Sequence, residues 1–480
     1  MDLGDWLARR SMRRTCCVAL FALASVAAGC VRYEAKPLAP QRSADEFGAR
    51  RLDSPELRDK MSRLLPSPPS PWPPPAWDRG QLLAVALADN PELAVARVEV
   101  QSARSREITA AEMPNPDLTL ESEYARHDPH PWLYGIGLSW LSRGAERRQL
   151  EVEMARLDTS SARWQLLEQA WRVRSELASA LSDWEGARRR LTLLDRLAAA
   201  EDRLLAGEER RVQAGEDAAG DLVVTRQSRI QIVQQQAQWQ AAADAAQAAV
   251  ARSLGVPPRA LDSLVVAWPD WGEPPQQAEA ALRDAREQAL LCRADLAAAI
   301  DGYSTAEAKL QLAVARQYPQ LTLSPGYYWD HGIAKFPLDV GFTLPLNRNK
   351  GEIAEARAGR ELAAQRMLAL QSDIYGEVDA AEHAEEVARR SLAAAQRQFA
   401  TALGLQQFAD ISLKMGAADT LEHIRSQILV AQAEFELLQM RAQLQSSRNK
   451  LEDVLHTPLS GPELALATSS MSAPALGSLP

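Results

Sequence analysis

The feature that most constrains what this chain can fold into is an internal duplication. Leu93-Ala94 recurs at Leu296-Ala297, Ala96 at Ala299, Ala103 at Ala306 and Ala110 at Ala313. Pro116 recurs at Pro319 and Leu118-Thr119-Leu120 at Leu321-Thr322-Leu323, all at one offset of 203 positions. A repeat of this size is one structural unit written twice, so any fold must be built from two copies. Gly137 pairs with Gly341, Arg143-Gly144 resembles the run from Arg348 to Gly351, and the helix-breaking glycines Gly215 and Gly416 keep nearly the same offset.

Each copy holds a long stretch without proline, Trp132 to Val256 and Leu346 to Thr457, rich in Ala, Leu, Gln, Glu and Arg. Proline breaks helices and those residues favour them, so each stretch is expected to be nearly all helix. Leu177, Leu181, Trp184, Leu191 and Leu194 follow the three- and four-residue steps of a packed helical stripe. Each stretch is interrupted once, around Gly215 to Gly220 and around Met415 to Asp419, which predicts a helical hairpin per copy. A continuous helix from Arg143 to Gly215 would run on the order of 100 Å at about 1.5 Å per residue, far more than a globular core needs.

Short segments of period two precede each hairpin. Leu118, Leu120 and Tyr124 share one face, opposite Thr119, Glu121 and Glu123; Tyr134, Ile136, Leu138 and Trp140 share the next, opposite Gly135, Gly137 and Ser139. The second copy offers Leu321, Leu323, Tyr327 and Trp329, then Phe336, Leu338, Val340, Phe342 and Leu344. Apolar residues to lipid with small or polar ones to a watery lumen make a transmembrane β-barrel strand, whereas a half-buried strand of a soluble sheet alternates in the same way. Four strands cannot close a barrel in lipid, so a membrane reading requires several chains to share one.

The amino terminus favours the membrane. Arg9, Arg10, Arg13 and Arg14 precede an apolar core, Cys16 to Ala28, too short to span as a mature helix: an export signal. The core ends in Ala27-Ala28-Gly29-Cys30, which resembles the lipobox of bacterial lipoproteins, whose cysteine is acylated; ordinary signal-peptidase cleavage beside an incidental cysteine is the alternative. Val31 follows, and the rule that aspartate there retains a lipoprotein at the inner membrane directs this one outward. Of the four cysteines, only Cys292 then remains free in the mature chain, which excludes an intrachain disulfide; it reads as core filling. A net charge of −9 without a basic run sets nucleic acid aside.

The order helix, strand, strand, long helical hairpin, given twice between Trp77 and Leu459, resembles the TolC-type outer-membrane efflux family. The stretches LADNPELAVARVEVQSA, PNPDLTLESE, VQAGEDAAGDLVVTRQ and VGFTLPLNRNKGEIAEARA are most similar to its branch serving cobalt, zinc and cadmium efflux. Arg293-Ala294-Asp295 stands where the family often has Arg-Pro-Asp. The resemblance implies a mainly α fold with a small β part. It also implies a homotrimer with a twelve-stranded outer-membrane β-barrel, continued by an α-helical tunnel across the periplasm. The tunnel tip would meet a periplasmic adaptor docked on a proton-driven inner-membrane pump of the RND type. The protein would be a passive duct and not an enzyme, without cofactor beyond a lipid on Cys30, its cargo chosen by the pump. Heavy-metal cations fit the branch; multidrug efflux, type I polypeptide secretion, and less readily an adaptor or a structural coiled coil are the alternatives.

The resulting organisation is a signal over 1–29, a lipid-anchored proline-rich extended arm over 30–76, repeat 1 over 77–275, repeat 2 over 276–460 and a disordered tail over 461–480. Gly215 and Gly416 are expected at the adaptor-docking tips. Tunnels of this family close through inward, often acidic side chains just past each tip, which points to Asp419, Glu422 and Asp221 as gate residues. Asp419 and Glu422, three apart, would share a helical face and gather carboxylates around a trimer axis. No Gly-rich phosphate loop, HExxH, CxxC or nucleophile elbow occurs. His127-Asp128-Pro129-His130 and Asp330-His331 fall in the loops joining strand pairs and read as polar loop residues rather than metal ligands; His383, His423 and His456 are scattered on helices.

Overall fold

The computed structural model describes residues 31–67, 69–142, 144–464 and 466, without the Asp221 side chain. Cys30 and the signal lie outside the described residues, as does the tail beyond 466. The chain divides into two compact units. The first ends at Ala49 and contains helix α1, Pro40–Gly48. The second, from Arg50 onward, holds both repeats.

In the second unit, helix α2 spans Pro55–Leu64. Ser54 caps it by accepting from Leu57 N, and Pro55 occupies the first turn, where its missing N–H costs nothing. Leu57, Met61 and Leu64 form a buried stripe. The arm expected to be extended over 30–76 therefore contains two helices, because proline excludes helix interiors but not helix starts. The second of them is part of the core.

Strand β1, Trp77–Asp78, leads into α3, Arg79–Asp89, through a reciprocal cap between Asp78 and Gln81. α4, Pro91–Ala111, follows at once, capped by Asn90, whose Oδ1 accepts from Glu92 N and Leu93 N. Then come β2, Asp117–Tyr124, and β3, Trp132–Ser142, and a hairpin of α5, Ala145–Gln213, and α6, Ala219–Leu254. β4, Val266–Ala267, pairs in parallel with β1. The second copy repeats the order: α7, Glu279–Cys292; α8, Ala294–Ala315; β5, Leu321–Asp330; β6, Ile333–Lys335; β7, Leu338–Phe342; α9, Lys350–Lys414; and α10, Thr420–Leu455. The duplication is exact enough that α6 and α10 both have 36 residues, while α5 and α9 have 69 and 65, or roughly 100 Å each. Cys292 closes α7 and is exposed, so it fills no core; it ends on the solvent side of a two-faced helix whose buried stripe is Ala285 and Ala289.

Because α6 and α10 are half as long as their partners, they cover only the tip-side half of α5 and α9. α4 and α8 take over from there, packing against the sheet-side half. The main core runs along α5 through Leu166, Ala170, Val173, Leu177, Leu181 and Trp184 against α3 and Val250. Towards the tips, Leu194, Leu197, Leu204 and Ile232 of the first hairpin meet Leu421, Ile424 and Ile428 of the second. The stripe read from sequence is buried at Leu177, Leu181, Trp184 and Leu194, each such side chain stabilising by about 1.5–3 kcal/mol, and Leu191 packs at its margin.

Candidate channel wall and tips

The strands form one sheet in the order β2-β3-β5, with β6 and β7 both on the far side of β5. β6 pairs with residues 328–330 and β7 with 321–325, so the two are successive pieces of a fourth strand. The expected continuous strand from Phe336 to Leu344 is thus broken at Phe336-Pro337. Pro337 has no N–H for the ladder, although its carbonyl still accepts from Gly326 N at 2.9 Å.

The registers place like with like. Leu118 opposes Leu138, Leu120 Ile136, Tyr124 Trp132, Tyr134 Trp329, Ile136 Tyr327, Trp140 Leu323, and Leu323 Val340. These side chains are all exposed and occupy one face. On the other face Gly137 opposes Thr119 and Gly326, and Gly341 opposes Thr322. The Tyr328 ring lies over this face: a Cβ on Gly135 would come within 2.3 Å of Tyr328 Cδ1, and one on Gly326 within 2.8 Å of its Cε2. The glycines read only as small lumen residues in the sequence are the bed of an aromatic ring. Among the described residues, β2 and β7 each pair on one side alone.

Gly215 and Gly416 sit where expected, at the two hairpin turns, with φ of +76° and +72° and nothing near a would-be Cβ. The turns are built alike. Glu216 N donates to Arg211 O at 2.9 Å and Ala417 N to Ser412 O at 2.8 Å, closing each long helix with the left-handed residue that glycine adopts without penalty.

Asp419 is the N-cap of α10, its Oδ1 accepting from Leu421 N. Its other oxygen lies 2.6 Å from Arg211 Nη1 of the first hairpin. Arg211 also holds Asp217 at 3.0 Å, so one guanidinium gathers acids from both tips. Glu422 is exposed in the first turn of α10 and, among the described residues, joins no ion pair. Asp419 is thus the N-cap and Glu422 the third residue of α10, two positions whose side chains lie on the same side of a helix start. Asp221 lies in the first turn of α6, and its side chain is outside the described residues.

Sequence reading missed what binds the hairpins together. Glu201 and Glu208 are buried in α5, one heptad apart. Glu201 accepts from Ser228 Oγ at 2.7 Å and Glu208 from Thr225 Oγ1 at 2.6 Å, both hydroxyls on α6. Arg425 of α10 donates to Glu208 at 2.9 Å. Heptad-spaced acids facing Ser and Thr across a predicted hairpin were a usable signal. A second buried network joins both repeats to the tail. Arg174 Nε donates to Glu463 Oε2 at 2.8 Å and its Nη2 pairs with Glu452; Arg448 lies 3.4 Å from Glu452 and from Glu385. Burial opposes charge on Arg174, but the Glu463 and Glu452 carboxylates outweigh it and raise its pKa. Glu463 and Leu466 are buried, so the tail expected to be disordered from 461 is packed at these two positions. Among the described residues the loop histidines join no three-ligand set; His130 packs against Gly332 and His331 pairs with Asp330.

No curated protein matches the chain in sequence. Among solved structures, the fold is similar to that of CusC, for which transmembrane channel formation is described: TM-score 0.63, 18% identity, covering 78% of this chain and 91% of that one. VceC, an outer membrane protein of Vibrio cholerae, gives TM-score 0.64 at 15% identity over 80% and 97% of the two chains. The open-state MtrE outer membrane channel of Neisseria gonorrhoeae gives 0.63 at 15% over 80% and 89%. Residues 285–455, most of the second repeat, match the family described as Outer membrane efflux protein, and 80% of the chain shares the fold of solved outer-membrane channels.

Proposed function

We propose that this chain is the outer-membrane channel of a three-part export system, a passive duct anchored by lipid on Cys30. Substrates would be delivered by an inner-membrane proton-driven pump of the RND type through a periplasmic adaptor that meets the tips at Gly215 and Gly416. The observation that carries the reading is the open sheet, with an apolar face outward and unpaired strands at both edges. Backbone groups left unpaired in lipid cost several kcal/mol each, so such a sheet is stable in a membrane only when copies join edge to edge. Three copies of a four-strand sheet make a twelve-stranded barrel of ordinary size. No described helix is long and apolar enough to cross a membrane. Two helices of roughly 100 Å per copy would continue the wall across the periplasm.

The resting gate would lie at the tips. The Arg211–Asp419 pair ties the two hairpins of one copy together, and Glu422 and Asp221 near the same level would add negative charge to the constriction. Heavy-metal cations are the proposed cargo class, on the branch resemblance and on the likeness to CusC. The test is native mass measurement in mild detergent with planar-bilayer recording. A trimer that conducts supports the duct; a non-conducting monomer overturns it. Loss of the gene should sensitise cells to zinc, cobalt or cadmium; sensitivity only to organic drugs would replace the cargo and keep the duct.

A further inference from the structure

At the inner end of each short helix, a hairpin meets the leading helix of a repeat end to end. In the first junction α6 closes on Gly255 at φ +70°, and Asn90 Nδ2 donates to Ser253 O at 2.9 Å. In the second, α10 closes on His456 at φ +50°, and Arg293 Nη1 donates to Val454 O at 2.7 Å. The junctions are built alike, yet an imidazole stands where the first uses glycine. A side chain in the left-handed region carries a conformational cost that glycine avoids.

That imidazole is stacked on Trp171, with ring centroids 5.2 Å apart and planes at 23°. Its Nδ1 lies 3.7 Å from Glu168 Oε2 of α5. One donor atom each from Glu168, Asp295 and His456 lies within 4.8 Å of the other two. The three come from α5, α8 and the end of α10, so the cluster ties three helices and both repeats. Glu168 Oε2 is buried and accepts no hydrogen bond from the protein.

We propose that Glu168, Asp295 and His456 bind a divalent transition-metal cation of the zinc class, which clamps the second junction. One imidazole nitrogen and two carboxylate oxygens are the mixed N/O set that zinc and cobalt accept, with a fourth position left for water; magnesium and calcium prefer oxygen alone. The surrounding charge favours a dication. Glu168, Glu377 and Asp453 line a cavity of about 220 Å³ with Arg172 and Arg293, and Asp295 stands beside it. Lys450 also pairs with Asp453 at 3.1 Å, so four carboxylates against three cations leave one negative charge to neutralise. Arg293 holds both oxygens of Asp295, Nη2 on Oδ2 at 2.6 Å and Nε on Oδ1 at 3.1 Å, and Leu296 N donates to Oδ1 at 2.8 Å, so the ion would share an already oriented carboxylate with the guanidinium. The site does not depend on what passes through the duct.

The purified full-length protein in detergent, stripped with EDTA and desalted, would be titrated with cobalt(II) chloride and, in competition with a chromophoric chelator, with zinc chloride. One ion per chain is expected, with the intense visible absorption of four-coordinate cobalt and a zinc-dependent rise in the thermal midpoint. His456→Asn retains a residue that tolerates the left-handed cap, and Glu168→Gln retains size. Each should weaken binding at least tenfold and abolish the zinc-dependent rise, while the metal-free midpoint stays at the wild-type value. A His127→Gln/His130→Gln variant should bind as wild type. Absence of cobalt binding to the wild type would overturn the proposal even if a variant fails to fold. So would binding weakened less than tenfold in both site variants, or binding lost with the loop histidines.

Discussion

Replacing Asp419 by asparagine separates the two jobs that its carboxylate performs. Asparagine caps a helix about as well as aspartate, so the bond to Leu421 N survives, whereas the pair with Arg211 across the hairpins is lost. Arg211 keeps Asp217, so no buried charge is orphaned. The partners are 38% and 51% exposed, which places the pair in the screened range of about 0.2–1 kcal/mol. With about 0.5 kcal/mol per link and three links in a trimer, the closed state would lose roughly 1.5 kcal/mol, about a tenfold change in the closed-to-open ratio. The expected result in planar bilayers is about tenfold higher open probability for Asp419→Asn at 0.1 M salt. The difference should collapse near 1 M, where the Debye length falls from about 10 Å to about 3 Å. Asp419→Ala should open similarly and also lower the thermal midpoint, because losing a cap costs about 1 kcal/mol per chain. An Asp419→Asn channel as closed as wild type, or an opening indifferent to salt, would refute the assignment of this pair to the gate.

Arg174→Met should destabilise by about 3–5 kcal/mol in detergent melts, because it leaves, among the described residues, buried Glu452 with Arg448 at 3.4 Å and buried Glu463 with Arg79 at 3.8 Å as their only cations; a melt within about 1 kcal/mol of wild type would show that those two cations suffice. Gly255→Ala and Gly215→Ala both force a side chain into positive φ, at about 1–2 kcal/mol. Only at Gly255 does the new Cβ come within 2.3 Å of the Asp89 carbonyl oxygen, so its melting point should fall clearly further; equal losses would show that the helix junction can yield. Gly215→Val or Gly416→Val should impair cross-linking to the adaptor while the barrel remains in the outer-membrane fraction; normal cross-linking in both would move docking elsewhere. Labelling with a palmitate analogue should mark the wild type and not Cys30→Ala, and label retained in the variant would exclude acylation there.

Whatever repeats locally was legible in the sequence. The hairpins and their turns followed from proline-free, alanine- and leucine-rich runs broken at Gly215 and Gly416, because helix propensity and left-handed turns are decided within a few residues. The apolar face of the sheet followed from period-two alternation, which needs no knowledge of partners, and the duplication supplied the second copy. The buried stripe through Leu177, Leu181 and Trp184 came from the same three- and four-residue spacing.

Only the tertiary structure decided which charges meet. Arg174 and Glu463 are 289 positions apart and Arg211 and Asp419 are 208 apart, and the helix that carries both arginines would look equally amphipathic with either turned to solvent. A charged residue is exposed by default, and only the docking of one helix end on another removes it from water. The end-to-end junctions show the same division. Nothing local in the sequence indicated that Gly255 abuts Asp89. Nor did anything local show that His456, which reads as an ordinary helical histidine, closes its helix beside Glu168 and Asp295. Sequence period decides which face of a helix is apolar; the axial register between helices, set by packing along some 100 Å of side chains, decides which polar groups that face brings together.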